Sequence, residues 1–149
     1  MRALIQRIRQ AQVMVDNTKV SGIGPGILVL LGVQEGDTEK DANFLVEKIS
    51  HLRIFEDDRG KMNRSLKDLG LAMLVVSQFT LLGDCRKGRR PSFTRAALPD
   101  LAKALYTGFI EKAISAGIPT AAGQFQAEME ISLINHGPVT LMLDTRQRE

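Results

Sequence analysis

An uncharged apolar run from Leu71 to Val76 is the pattern of a β-strand that is buried on both faces. The run stops at residues 77–80, where two hydroxyl groups and one amide follow within four positions. Hydroxyl and amide side chains both donate and accept hydrogen bonds. These groups either form a turn or present a polar site at the end of the strand, and the residues alone leave both interpretations open.

Alternation of apolar and polar residues predicts further strands near both ends of the chain. Near the N-terminus it covers residues 3–8 and 11–15, and a turn follows at Asp16-Asn17. Near the C-terminus it covers residues 129–133 and 139–143, on either side of Gly137-Pro138. Because Gly-Pro pairs are frequent in turns, this pattern predicts a hairpin at Gly137-Pro138.

Two segments have apolar residues at helical spacing. Thr38, with Asp41 three residues later, is typical of a capped helix start, and Pro99 fits the first turn of a second helix that ends before Gly117 and Pro119. The first apolar stripe consists of Ala42, Leu45, Val46, Ile49 and Leu52, and the second of Leu101, Leu105 and Phe109. Several strands and two helices predict a single α+β domain over residues 1–149.

Two stretches could be taken for ligand loops, but their context predicts turns. Gly22, Gly24 and Gly26 precede an apolar strand and not a helix, which argues against a dinucleotide-binding loop. The charged segment 56–60 contains three acidic residues and ends in Gly60, and it lacks the spacing of a calcium loop. We therefore expect solvated turns at both places.

A chain of 149 residues can bury a core without the help of a metal or a disulfide. Cys85 is the single cysteine, and the two histidines, His51 and His136, lie far apart, so no metal-ligand spacing is present. No apolar run reaches 18 residues, and the first residues do not follow the pattern of a signal peptide. We expect a cytoplasmic protein that does not associate with a membrane and binds no metal or cofactor.

Basic residues are concentrated in one place, between Gly83 and Arg95. A net charge of +3 is too small to demand a polyanionic partner. The position of the basic residues is therefore more informative than the net charge. The candidate RNA-binding residues in the stretch are Arg86, Lys87, Arg89 and Arg90. Such a stretch is either a solvated connection or a surface that binds phosphates.

Two motifs in register identify a family. The sequence SQFTL at residues 77–81 and the sequence N-x-GPVT at residues 135–140 are signatures of the D-aminoacyl-tRNA deacylases, and residues 53–63 and 90–93 match as well. The chain therefore resembles that family over nearly its whole length. It departs from the commonest pattern at His136, where an acidic residue is frequent.

The resemblance implies a layered β/β/α fold, with a barrel-like mixed sheet and two main helices, that works as a homodimer. It implies hydrolysis of the ester bond of D-aminoacyl-tRNA, and of glycyl-tRNA, with the terminal ribose 2′-hydroxyl assisting the attacking water. The catalytic segment would be Ser77, Gln78, Phe79 and Thr80, in which Gln78 and Thr80 position the substrate.

The resemblance also implies binding roles. Phe125 and Met129 would line the adenosine end of the pocket, although plain core positions explain them equally well. Arg7 would brace Gly137-Pro138, a cis turn that enters the partner subunit's pocket and rejects L-amino acids.

From the residues themselves, no catalytic triad is apparent. There is no G-x-S-x-G elbow, and no base is identified that would activate Thr80 as a nucleophile. A non-catalytic RNA-binding module that uses the basic stretch is one alternative function. A small β-rich dimerisation protein is another.

Overall fold

Eight β-strands and three α-helices are present in residues 1–147, the part of the chain that the computed structural model describes. The strands are β1 (Arg2–Val15), β2 (Thr18–Ile23), β3 (Gly26–Gly32), β4 (Phe55–Glu56), β5 (Met62–Arg64), β6 (Ala72–Ser77), β7 (Thr120–Ala122) and β8 (Glu130–Asp144). The helices are α1 (Glu39–His51), α2 (Leu66–Leu69) and α3 (Pro99–Ser115), with 3₁₀ turns at Phe79–Leu82 and Thr145–Gln147. The α+β class and the two main helices, α1 and α3, are confirmed.

One mixed sheet forms the body of the fold. Its strand order is β2-β1-β3-β6-β7, and β8 also pairs with β1 along both halves of that long strand. Strand β6 runs parallel to β3 and to β7, whereas β1 is antiparallel to β2, β3 and β8. Six strands wrapped in this way give the barrel-like sheet that was expected.

The sheet separates two apolar cores, which is why β3 and β6 are buried on both faces. On one face Ile27, Val29 and Met73 join the core that α1 and α3 cover. On the other face Leu28 and Leu74 join a core closed by the far half of β1 and by β8. Side chains of a strand alternate between faces, so the two cores produce the layered β/β/α arrangement.

Strand β8 corrects the expectation of a C-terminal hairpin. Residues 130–144 form one continuous strand, and Gly137-Pro138 lies within it instead of turning the chain back. In the pairing with β1, Gln6 faces Thr140 but Ile8 faces Asn135, so residues 136–139 lie opposite the single residue between Gln6 and Ile8. The alternation on either side of Gly137-Pro138 therefore belongs to one bulged strand.

Smaller boundaries differ from the sequence-based expectations. Leu101 is 39% exposed, whereas Leu105 and Phe109 are buried. Gly22 lies inside β2 and Gly26 begins β3, so only the residues between them turn. No helix of residues 1–147 is long and apolar enough to cross a membrane, and the same residues contain no cluster of three His, Cys, Asp or Glu placed to hold a metal.

Candidate active site

The end of β6 is fixed by the neighbouring strand β3. The Gln78 N–H donates to the Leu31 carbonyl at 2.8 Å, which extends the parallel pairing one residue past Ser77. Gly32, at the end of β3, leaves room for the turn that follows β6. A Cβ at that position would lie 2.8 Å from Leu82 Cδ2 and 3.0 Å from the Gln78 carbonyl oxygen. The polar residues are thus presented at the end of a buried strand.

The turn that follows, Phe79–Leu82, is held from β1. Arg2 Nη1 donates to the Leu81 carbonyl at 3.0 Å, and Arg2 Nε pairs with the Asp144 carboxylate at 2.9 Å. The Leu81 N–H bonds back to the Gln78 carbonyl at 3.2 Å. The N–H groups of Phe79 and Thr80 precede that first bond, so they have no acceptor within the turn.

Thr80 has a donor beside it and no base. The Gln78 side-chain amide donates to Thr80 Oγ1, and no carboxylate or imidazole of residues 1–147 forms a hydrogen bond with that hydroxyl. An amide nitrogen cannot accept a proton from the hydroxyl. The arrangement positions Thr80 without activating it.

A cavity of ≈ 610 Å³ opens beside the end of β6. Its walls come from that strand end, from the segment that leads into α3, and from the segment between β7 and β8. The cavity brings together five predicted site residues, namely Ser77, Gln78, Phe79, Phe125 and Met129. Thr80 is not among the lining residues, although it is the neighbour of Phe79.

Phe125 and Met129 are held against the core while they face the cavity. The Phe125 ring lies 5.7 Å from the Tyr106 ring, and Tyr106 donates its hydroxyl to the Val75 carbonyl at 3.0 Å. Burial raises the pKa of Tyr106 to about 12. At Gly123 a Cβ would lie 2.8 Å from Met129 Sδ, so this glycine makes room for the thioether.

Arg7 and Gly137-Pro138 form a second cluster, at the bulge between β1 and β8. The Gly137-Pro138 peptide bond is cis. Arg7 is 2% exposed and donates to the carbonyls of His136 at 3.1 Å, Gly137 at 3.3 Å and Ile54 at 2.7 Å. The guanidinium therefore fixes the backbone on both sides of the Gly137 Cα.

The cavity residues and the Arg7 cluster lie apart within one copy of the chain. Gly137 and Pro138 are exposed and do not line the cavity beside β6. A Cβ added at Gly137 would meet only Asn135 Nδ2, at 3.8 Å, which is an ordinary contact. Packing within one copy of the chain therefore does not require glycine at this position.

The basic stretch forms a loop closed at its base. Asp84 and Ser92 exchange backbone hydrogen bonds of 2.8 and 3.0 Å, and Phe93 packs edge-on against Phe79 with ring centres 5.1 Å apart. Arg86 pairs with Asp84 at 2.6 Å, which holds the pKa of that carboxyl well below its usual range. Among the ion pairs of residues 1–147, none involves the remaining candidates, Lys87, Arg89 and Arg90.

Comparison with known proteins identifies the family. A family model described as D-Tyr-tRNA(Tyr) deacylase matches residues 4–144. The chain is 56% identical to a D-aminoacyl-tRNA deacylase of Heliobacterium modesticaldum, covering all of this chain and 99% of that protein. It is 57% identical to the D-aminoacyl-tRNA deacylase of Geobacter sulfurreducens, covering 99% and 97%. The chain belongs to the D-aminoacyl-tRNA deacylase family.

Solved structures agree with the deacylase fold. One described as c-Myc DNA unwinding element binding protein is 38% identical, with a TM-score of 0.92, and covers 97% of this chain and 99% of that one. A probable eukaryotic D-amino acid tRNA deacylase gives a TM-score of 0.82 at 21% identity, over 95% and 97% of the two chains, which shows the fold alone.

Several residues that shape the cavity and the Phe79–Leu82 turn were not found by sequence reasoning. Arg2 and Gly32 hold the Phe79–Leu82 turn, and Tyr106 supports Phe125. Gln126 lines the cavity and has a positive φ of 62°, a backbone conformation that residues other than glycine seldom adopt. Of these residues, only Tyr106, the single tyrosine of the chain, could have been noticed from the sequence.

Proposed function

We propose that the protein hydrolyses the ester bond that joins a D-amino acid to the 3′ end of tRNA, releasing the free amino acid and tRNA. The observation that carries the proposal is the cavity beside β6, where the Ser77–Phe79 segment faces Phe125 and Met129. Full-length similarity to named D-aminoacyl-tRNA deacylases supports the same reaction.

An aminoacyl ester is reactive, so the protein has to orient it and stabilise the oxyanion that forms when water attacks. The N–H groups of Phe79 and Thr80, which have no acceptor within their turn, are suited to that oxyanion. The terminal ribose 2′-hydroxyl assists the attacking water, in place of a protein base. Thr80 and Gln78 orient the substrate by hydrogen bonds and form no covalent intermediate.

The terminal adenosine binds at the far end of the cavity. Phe125 and Met129 are both half-buried and both line the cavity, so each packs on the core and still offers an apolar surface to a base. Lys87, Arg89 and Arg90 bind tRNA phosphates, and Arg86 contributes less because Asp84 neutralises it.

Chirality is selected by Gly137-Pro138 of a second copy in a homodimer. Its carbonyl oxygens bind the substrate ammonium and leave no space for an L side chain, so an L-amino acid is rejected by a clash. Glycine has no side chain and passes, which makes glycyl-tRNA a second substrate. Exposure of Gly137-Pro138, its absence from the cavity of its own chain and the room around Gly137 support this arrangement.

A turnover assay tests the proposal. Substoichiometric protein is mixed with D-tyrosyl-tRNA, L-tyrosyl-tRNA or glycyl-tRNA, and free amino acid is measured over time. We expect many turnovers on the D-ester and on glycyl-tRNA, and none above background on the L-ester. Binding of tRNA without release of D-tyrosine would instead support the RNA-binding module.

A further inference from the structure

His136 lies at the β1–β8 bulge and contacts two arginines of β1, Arg7 and Arg9. Its own carbonyl accepts from Arg7 Nε at 3.1 Å, and its imidazole Nε2 lies 3.4 Å from Arg9 Nη2. A guanidinium only donates, so this contact makes Nε2 an acceptor and places the ring proton on Nδ1. The geometry therefore selects the neutral imidazole.

We propose that neutral His136 is a positioning residue for Gly137-Pro138, and that its protonation weakens binding of the substrate ammonium at the Gly137 carbonyl. This inference rests on the proposed function. Protonation at Nε2 removes the acceptor of Arg9 and places a third cation beside Arg7 and Arg9. The Gly137 carbonyl, which follows His136 directly and already accepts from Arg7 at 3.3 Å, would then bind a further cation less well.

The charged groups around the ring favour the neutral form. Burial lowers the pKa of His136, and the guanidinium groups of Arg7 and Arg9 on β1 lower it further, whereas Glu56 on β4 acts in the opposite direction. At neutral pH the imidazole is therefore uncharged. The imidazole of His136 gains its positive charge only as the pH falls below the usual pKa of histidine.

The test compares two substitutions at this position over pH 5 to 6.5, a range in which the substrate α-amino group stays protonated. His136→Gln supplies an acceptor that cannot be protonated, and His136→Lys supplies a permanent cation. KM and kcat for D-tyrosyl-tRNA are measured separately at each pH. We expect the KM of the wild type to rise about tenfold towards pH 5, that of His136→Gln to stay level, and that of His136→Lys to be high throughout.

His51→Gln is the matched control, because His51 is the other histidine and lies on α1 beside Glu47. It should keep the wild-type profile. An acid rise in KM that is unchanged in His136→Gln, or a wild-type KM in His136→Lys, would overturn the inference while leaving an active deacylase. A wild type that releases no D-tyrosine at any pH would overturn the proposed function, and this inference with it.

Discussion

At the scale of single residues, Thr80 has a hydrogen-bond donor where a nucleophile would need a base. Replacing it with alanine should remove an orienting contact and leave the water attack in place. We expect Thr80→Ala to lower kcat for D-tyrosyl-tRNA by roughly 10- to 100-fold without abolishing turnover. Rapid-quench kinetics measure the rate. A D-tyrosyl adduct on Thr80 of the wild type, detected by mass spectrometry, would contradict the account.

Tyr106 is the only tyrosine in a chain without tryptophan, so its ionisation can be followed by ultraviolet absorbance alone. Burial raises its pKa to about 12, which means that the folded protein favours the neutral phenol. Its stabilising contribution is complete below the unfolded pKa of about 10 and is lost as the pH rises towards 12.

We expect the phenolate band to grow with a midpoint near pH 12, or together with unfolding, and near pH 10 in urea. Tyr106→Phe should lack the band altogether. A native midpoint near 10 would show that the hydroxyl is not buried against the Val75 carbonyl.

At the scale of elements, the loop from Asp84 to Ser92 carries the proposed phosphate contacts. Changing Arg89 and Arg90 together to alanine should raise KM for charged tRNA and reduce the salt slope of binding by roughly 2, because two fewer counterions are released. The chemical step should change little. Filter binding over a range of salt measures the slope.

The control for the loop is Lys40→Ala with Lys48→Ala, two exposed charges on α1. This variant has the same net charge as the loop variant and should keep the wild-type slope. Equal slopes in all three proteins would show that the loop is a solvated connection.

Elements with a strong local pattern were predictable. The capped start of α1, Pro99 at the start of α3 and the buried strand β6 all follow from nearby residues. The hairpin at Gly137-Pro138 was wrong, because a bulge interrupts the alternation of β8 in the same way as a turn does. The signal that separates them is the pairing with β1, which is distant in sequence.

At the scale of the whole molecule, the mixed sheet places the end of β6 beside the segment between β7 and β8. The motif residues 77–79 converge with Phe125 and Met129 on one cavity, which residue types and spacing alone could not establish. Arg2 and Gly32 escaped prediction because their roles depend on contacts with residues 81 and 82, far along the chain. The homodimer follows from the family resemblance and stays a prediction.

Gly137→Ala separates a structural from a functional role for this glycine. The added Cβ has room within its own chain, so the melting temperature and the dimer mass should not change. Hydrolysis of D-tyrosyl-tRNA should fall at least about tenfold, since the methyl group crowds the partner's pocket. Gly24→Ala, at another exposed glycine with open space around it, should behave as the wild type. Full activity in Gly137→Ala would contradict the proposal.

The central claim is that one active site needs the cavity of one copy and Gly137-Pro138 of another. Ala127→Trp should fill the cavity, since Ala127 lines it, and should inactivate the protein by itself. Mixing Ala127→Trp with Gly137→Ala and exchanging subunits gives heterodimers with one intact site. We predict recovery of about one quarter of wild-type D-tyrosine release at equal amounts of the two variants. If the exchanged mixture is as inactive as either variant alone, the active site lies within one chain and the account is wrong.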